Sequence, residues 1–241
     1  MHSSLVNLNA CKPCANTVLI PILILSLYLT LSKTWIKICG ITQHSDALAA
    51  CELGADAIGL VFYPPSSRAI SVNQIEGIVR DLPKQVTVVA LFVDPTVEEV
   101  NQVIATGMID LLQFHGEETP AYCQSFGLPT MKAFRVGKDP NLQKSIGLYR
   151  ESELVLLDAY EKDAPGGTGK LFDWDVAIKI AQSEEIKLVL AGGLNPDNVQ
   201  EAVICVGPFG VDVSSGVESS PGKKDIALIK KFIEGVRSVS S

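Results

Sequence analysis

From Trp35 onward, short apolar or β-branched runs alternate with amphipathic stretches, and the hydrophobic period switches between the strand and helix values at each change. The apolar runs predict eight strands: Trp35–Cys39, Ala57–Phe62, Val86–Phe92, Ile109–Phe114, Thr130–Phe134, Leu154–Asp158, Leu188–Ala191 and Gly210–Val213. The stretches between them predict helices with readable ends. Ser71 with Gln74 and Thr96 with Glu99 form capping-box patterns, and Asn195 before Pro196 predicts an N-cap with Pro at the first helical position. Gly54, Gly107 and Gly207 each follow a periodic apolar run, where a left-handed residue ends a helix. Apolar residues share one helix face, as covering a sheet requires: Val97, Val100, Val103 and Ile104 in one helix, Ile226, Ile229, Phe232 and Ile233 in another.

Strictly alternating strands and helices imply an α/β fold with a parallel sheet. The chain has 241 residues. Eight units over residues 34–241 take about 26 residues each, the compact end of a (β/α)8 TIM barrel. A doubly wound sheet competes, but eight parallel strands would make an unusually wide open sheet. The expectation is one barrel domain over residues 34–241, with residues 1–33 an apolar extension outside it. In that extension Thr17–Leu31 is almost unbroken apolar sequence around Pro21, shorter than the roughly 20 residues a membrane-spanning helix needs. As a signal peptide it would have only Lys12 for a positive side chain and no A-x-A cleavage site. Membrane association therefore depends on residues 17–31 acting as an anchor; the alternative is an upstream extension irrelevant to the fold.

Composition narrows the function. Hydrophobic residues at 47% and charged residues at 20% supply a core and exclude global disorder. A formal charge of −7 argues against a nucleic-acid surface. Of the cysteines only Cys11 and Cys14 are closely spaced, and no second pair or nearby His completes a zinc site, so no metal is expected. Cys39, Cys51, Cys123 and Cys205 are scattered singly, as in a reduced, cytoplasmic protein.

Strand alternation puts Lys37 and Cys39 on one face of the first strand, Gln113 and His115 on one face of the fourth, Asp158 on the same face as Leu156 in the sixth, and Asp212 and Ser214 on one face of the eighth. Their neighbours of opposite parity are apolar and suit the helix-facing side. The polar residues should thus point to the axis and meet at the C-terminal rim, where barrels keep their active sites. Three small-residue loops follow the late strands: Gly166-Gly167-Thr168-Gly169, Gly192-Gly193, and Ser214-Ser215-Gly216. Taken singly, each reads as an ordinary tight turn. Together, at the ends of strands 6, 7 and 8, they suit a phosphate held by backbone N–H groups. Residues Gly167, Thr168, Gly169, Gly192, Gly193, Ser214, Ser215 and Gly216 are the candidates.

The segments Lys37-Ile38-Cys39-Gly40-Ile41-Thr42, Gln113-Phe114-His115-Gly116, Leu157-Asp158, Gly166-Gly167-Thr168-Gly169 with Phe172-Asp173-Trp174, Ala191-Gly192-Gly193-Leu194 and Asp212-Val213-Ser214-Ser215-Gly216-Val217-Glu218 resemble, in order, those of the phosphoribosylanthranilate isomerase family. The resemblance spans Trp35 to about Val236. It implies a (β/α)8 isomerase of tryptophan biosynthesis, converting a phosphorylated sugar–anthranilate small molecule by an Amadori rearrangement without a cofactor. It further implies Cys39 as general base, Asp158 as general acid, and Arg68 as partner of the anthranilate carboxylate. Gln113, His115 and Asp212 join the substrate-binding set. The Arg68 loop departs from the family's usual pattern at Pro65 and Ala69.

Without the resemblance, Cys39 reads as a small buried hydrophobe, and Asp158 equally well as a loop cap. Among competing barrels, a histidine-pathway sugar isomerase resembles a pair of aspartates where strand 1 here ends in Cys39. Indoleglycerol-phosphate synthase would want a lysine acid and an amphipathic N-terminal helix. A non-catalytic phosphometabolite-binding barrel remains the alternative of another class. The helix stripes suit a monomer or a homodimer alike.

Overall fold

Each helix returns the chain to the edge where the preceding strand began, so consecutive strands lie parallel and adjacent. A computed structural model describes residues 33–136, 141–158, 174–183 and 186–239. In it the eight strands close into a parallel barrel in sequence order, the TIM barrel that the alternation predicts. The strands are β1 (Trp35–Cys39), β2 (Ala57–Val61), β3 (Thr87–Phe92), β4 (Leu111–Phe114), β5 (Thr130–Arg135), β6 (Leu154–Asp158), β7 (Leu188–Ala191) and β8 (Gly210–Val213). Boundaries differ from expectation by at most two residues. The helices are α1 (His44–Glu52), α2 (Ile75–Val79), α3 (Val97–Ile104), α4 (Pro120–Cys123), α5 (Leu142–Ile146), α6 (Trp174–Ala181), α7 (Val199–Val206) and α8 (Ile226–Arg237).

Side-chain parity divides the apolar residues into two cores. Ile36, Ile38, Leu112, Phe114, Val155, Leu157, Val211 and Val213 pack between barrel and helices. Ala57, Val89, Leu111, Met131, Ala133, Leu154, Leu156, Val189 and Ala191 fill the interior. The interior is therefore plugged, and polar inward residues are left for the C-terminal mouth.

Both capping boxes form, around Thr96 for α3 and around Ser71 for a 3₁₀ turn leading into α2. Gly54, Gly107 and Gly207 all have positive φ. Two local expectations need correcting. Asn195 caps a turn, its Oδ1 accepting from the Asp197 N–H at 2.8 Å, and α7 itself starts at Val199. Val97 and Ile226 lead their helices but are exposed, because the first turn overhangs the sheet; Val100, Val103, Ile229, Phe232 and Ile233 are buried as the stripe requires.

After β8 the chain makes a short hairpin of β9 (Glu218–Ser220) and β10 (Lys223–Lys224). Thr42 Oγ1 donates to the Gly222 carbonyl at 2.6 Å, and the Lys224 N–H donates to Asp46 Oδ2 at 2.9 Å, which fastens the hairpin to the loop after β1 and to α1. At the opposite end Arg237 of α8 donates to the carbonyls of Thr34 and Gly54 and pairs with Asp56 at 2.7 Å. Among the described residues no helix is long and apolar enough to cross a membrane. Thr17–Leu31 lies outside them, as do Cys11 and Cys14.

Candidate active site

Closing the barrel sets β1 against β8 with Lys37 opposite Asp212. Lys37 is fully buried, and its Nζ lies 3.0 Å from Asp212 Oδ1. Burial alone would lower the Lys37 pKa, but the charges of Asp212 and Cys39 beside it hold it above its ordinary 10.5. Cys39, two residues along the same face, is 4% exposed. Lys37 and, more weakly, Lys224 favour its thiolate, yet burial outweighs them, and the thiol sits above its ordinary 9.0. Lys37 thus favours the thiolate without reversing the cost of burial.

Space for this pair comes from Gly59 on β2. A Cβ there would stand 2.8 Å from Cys39 Sγ and 3.1 Å from Lys37 Cε. Gly40, at φ +74°, serves the next level, where a Cβ would collide with Arg68 Cδ and approach Ser214 Oγ to 2.9 Å. Arg68 therefore lies across the strand end beside Cys39.

Across the mouth, His115 Nε2 is 3.3 Å from Asp158 Oδ2, at ion-pair distance though outside hydrogen-bond alignment. Gln113 is fully buried, and among the described residues neither its Oε1 nor its Nε2 has a partner; Ser214 Oγ likewise has none among them. Leaving buried polar atoms unsatisfied costs about 1–3 kcal/mol each, which a hydroxylated ligand would offset.

The β7 and β8 loops meet closely. Gly192 and Gly193 both have positive φ, 85° and 69°, which only glycine adopts readily. A Cβ on Gly216 would overlap the Leu194 carbonyl. Ser214 and Ser215 start a 3₁₀ turn over Ser215–Val217. Gly216 thus lies against the loop that follows Gly192 and Gly193, whereas Gly167, Thr168 and Gly169 lie outside the described residues. No group of His, Cys, Asp and Glu among the described residues is arranged to hold a metal.

Sequence reasoning missed three contributors. Glu218 and Lys224, on the hairpin, form a buried pair at 2.9 Å, and Lys224 also donates to the Ser214 carbonyl at 3.1 Å. Glu218 also receives both Nε and Nη2 of Arg68, at 2.7 and 2.6 Å. Lys132 of β5 donates to the Gly116 carbonyl at 2.6 Å and pairs with Glu118 at 3.1 Å, pinning the loop that follows His115. A lysine inside the apolar run Thr130–Phe134 was its one visible signal.

Comparison with known proteins places the chain in a family. The sequence model of the N-(5'phosphoribosyl)anthranilate (PRA) isomerase family matches residues 36–235. The N-(5'-phosphoribosyl)anthranilate isomerase of Stutzerimonas stutzeri is 47% identical over 203 residues, 84% of this chain and 97% of the relative. That of Pseudomonas fluorescens is 49% identical over 201 residues, 83% of this chain and 97% of the relative. The crystal structure of phosphoribosyl anthranilate isomerase from Thermotoga maritima superposes with a TM-score of 0.77 at 41% identity, covering 85% of this chain and 99% of that one. A phosphoribosyl anthranilate isomerase bound to reduced 1-(o-carboxyphenylamino)-1-deoxyribulose 5-phosphate gives 0.74 at 39% identity, with coverage of 85% and 99%. With a matched segment running from within β1 into the last helix and relatives near half identity, the chain belongs to the N-(5'-phosphoribosyl)anthranilate isomerase family.

Proposed function

We propose that this chain is an aldose–ketose isomerase of tryptophan biosynthesis. It converts N-(5'-phosphoribosyl)anthranilate to 1-(2-carboxyphenylamino)-1-deoxyribulose 5-phosphate by a cofactor-free Amadori rearrangement. The observation that carries this reading is the pairing at one barrel mouth of a thiol beside a buried cation, Cys39 with Lys37, and a carboxyl beside an imidazole, Asp158 with His115.

The chemistry uses these groups in turn. Asp158 protonates the ribose ring oxygen as the ring opens to a protonated Schiff base. Cys39, as thiolate, removes the C2 proton to give an enolamine, which tautomerises to the ketone. Negative charge on sulfur is balanced by Lys37 and Lys224, so the base form is paired when it arises. Arg68 receives the anthranilate carboxylate, and the amide of Gln113 offers a donor and an acceptor to the sugar hydroxyls. His115 lines the anthranilate side, and Asp212 acts through Lys37. The phosphate is held by Gly192, Gly193, Ser214, Ser215 and Gly216, with Gly167, Thr168 and Gly169 joining from the β6 loop. Residues 34–241 carry the whole activity.

Anthranilate fluorescence provides the test. Purified chain should change the fluorescence of the substrate as it is consumed, Asp158→Asn should abolish turnover while retaining fold and affinity, and Cys39→Ser should slow the chemical step by orders of magnitude. A near-normal rate in Asp158→Asn would remove Asp158 from the mechanism. Ligand binding without turnover in the unmodified chain would favour a binding module instead.

A further inference from the structure

Glu218 lies where two cations of the mouth converge. Its side chain is 5% exposed, and its carboxylate takes Nε and Nη2 of Arg68 on one flank and Nζ of Lys224 on the other. The Gly222 N–H adds a long contact to Oε1 at 3.4 Å. Burial alone would raise the Glu218 pKa, but hydrogen bonds from Arg68 and Lys224 outweigh it and hold the group below its ordinary 4.5. The carboxylate is therefore charged at neutral pH and held by donors on both flanks. One anion shared by two cations leaves this corner a unit positive, so Glu218 orients Arg68 without cancelling its attraction for an anion.

The guanidinium has five N–H donors in a fixed plane. Glu218 occupies the Nε edge, using one hydrogen of Nη2. The end-on edge, formed by Nη1 and the other Nη2 hydrogen, has no partner among the described residues. A planar carboxylate fits that edge in two parallel hydrogen bonds. Arg68 lies over Gly40, next to Cys39, so an anion received there sits at the entrance to the reacting groups.

We propose that Glu218 is a positioning residue for substrate recognition: by fixing the side-on edge of Arg68 it compels the arylamine carboxylate to dock end-on, and so sets the enzyme's preference for a carboxylated substrate. This rests on the assignment of Arg68 to the anthranilate carboxylate. The hairpin between β8 and α8 is, on this view, part of the specificity apparatus.

The test compares two substrates, N-(5'-phosphoribosyl)anthranilate and its decarboxylated counterpart, N-(5'-phosphoribosyl)aniline, on the full chain and on Glu218→Gln. The variant keeps the side chain's volume and removes its charge. For the anthranilate substrate its KM should rise by roughly 10-fold to 100-fold with a smaller change in kcat, as expected when a clamp is misplaced by about an ångström. For the aniline compound kcat/KM should change by less than about 3-fold, a residual set by losses that do not involve the carboxylate. If the variant does not fold, Glu218→Asp gives the same reading: it keeps the charge beside Lys224, shortens the reach to Arg68, and should lose the same discrimination. Equal losses on both substrates in a folded variant would overturn the proposal while leaving the isomerase reading intact. An unmodified chain that turns over neither substrate would overturn the isomerase reading, and this one with it.

Discussion

Replacing Lys37 by Met removes the buried ammonium while preserving most of the side chain's length. Asp212, whose side chain is only 10% exposed, then loses the partner 3.0 Å away. Deleting one member of a buried pair typically costs about 3–5 kcal/mol, because the remaining charge is desolvated and unpaired. For a domain of this size each kcal/mol shifts Tm by roughly 2–4 °C, so Lys37→Met should melt about 6–20 °C below the unmodified chain. A second consequence is chemical. Lys37 is the strongest influence opposing the burial of Cys39, so the thiol should move further above 9.0 and kcat should fall. Thermal unfolding followed by circular dichroism reads the first effect and the fluorescence assay the second. The double variant Lys37→Met/Asp212→Leu separates them, since it leaves no buried charge: stability should largely return and activity should not. If Lys37→Met lost less than about 1 kcal/mol, or if the double variant were no more stable than the single, Lys37 and Asp212 could not be a desolvated pair.

Further outcomes follow from other features. Gly59→Ala places a methyl 2.8 Å from Cys39 Sγ and 3.1 Å from the Cys39 Cα, and should cost about 1–3 kcal/mol together with a clear loss of kcat, read by urea unfolding and the activity assay. Because the folded Glu218 pKa lies below 4.5, its stabilising contribution should be complete above about pH 4.5 and vanish as pH falls through the folded value. The stability gap between the unmodified chain and Glu218→Gln, measured by denaturant titration, should therefore shrink on acidification. Removing residues 1–33 should leave turnover unchanged, and an insoluble truncation would show that the extension packs on the barrel.

The barrel was legible because its signals are local. Parity in Trp35–Cys39 or Leu154–Asp158 separates core from axis within five residues, and Gly54 or Gly207 ends a helix by its own φ preference. Lys37, Cys39, Gln113, His115, Asp158 and Asp212 were visible for the same reason, as polar residues of one parity among apolar neighbours. Asn195 misled because a cap on a turn and a cap on a helix look alike until the next hydrogen bonds are known. Glu218 and Lys224 were hidden by distance along the chain: Arg68 meets Glu218 across 150 positions, and Lys224 meets Asp46 across 178. No periodicity encodes such meetings. The hydrogen-bonding capacity that Gln113 leaves unused among the described residues was hidden too, since it depends on what the other strands supply.

The clamp on Arg68 reaches the mouth only after the eighth strand, and the last helix reaches back through Arg237 to the residues flanking the first. During synthesis, a growing polypeptide with its thiol and acid already made would still lack an oriented arginine until residue 218 had emerged and the ends had met. Fragments cut short by a stalled ribosome or a protease should consequently be inert, and separately expressed halves should regain turnover only upon reassociating.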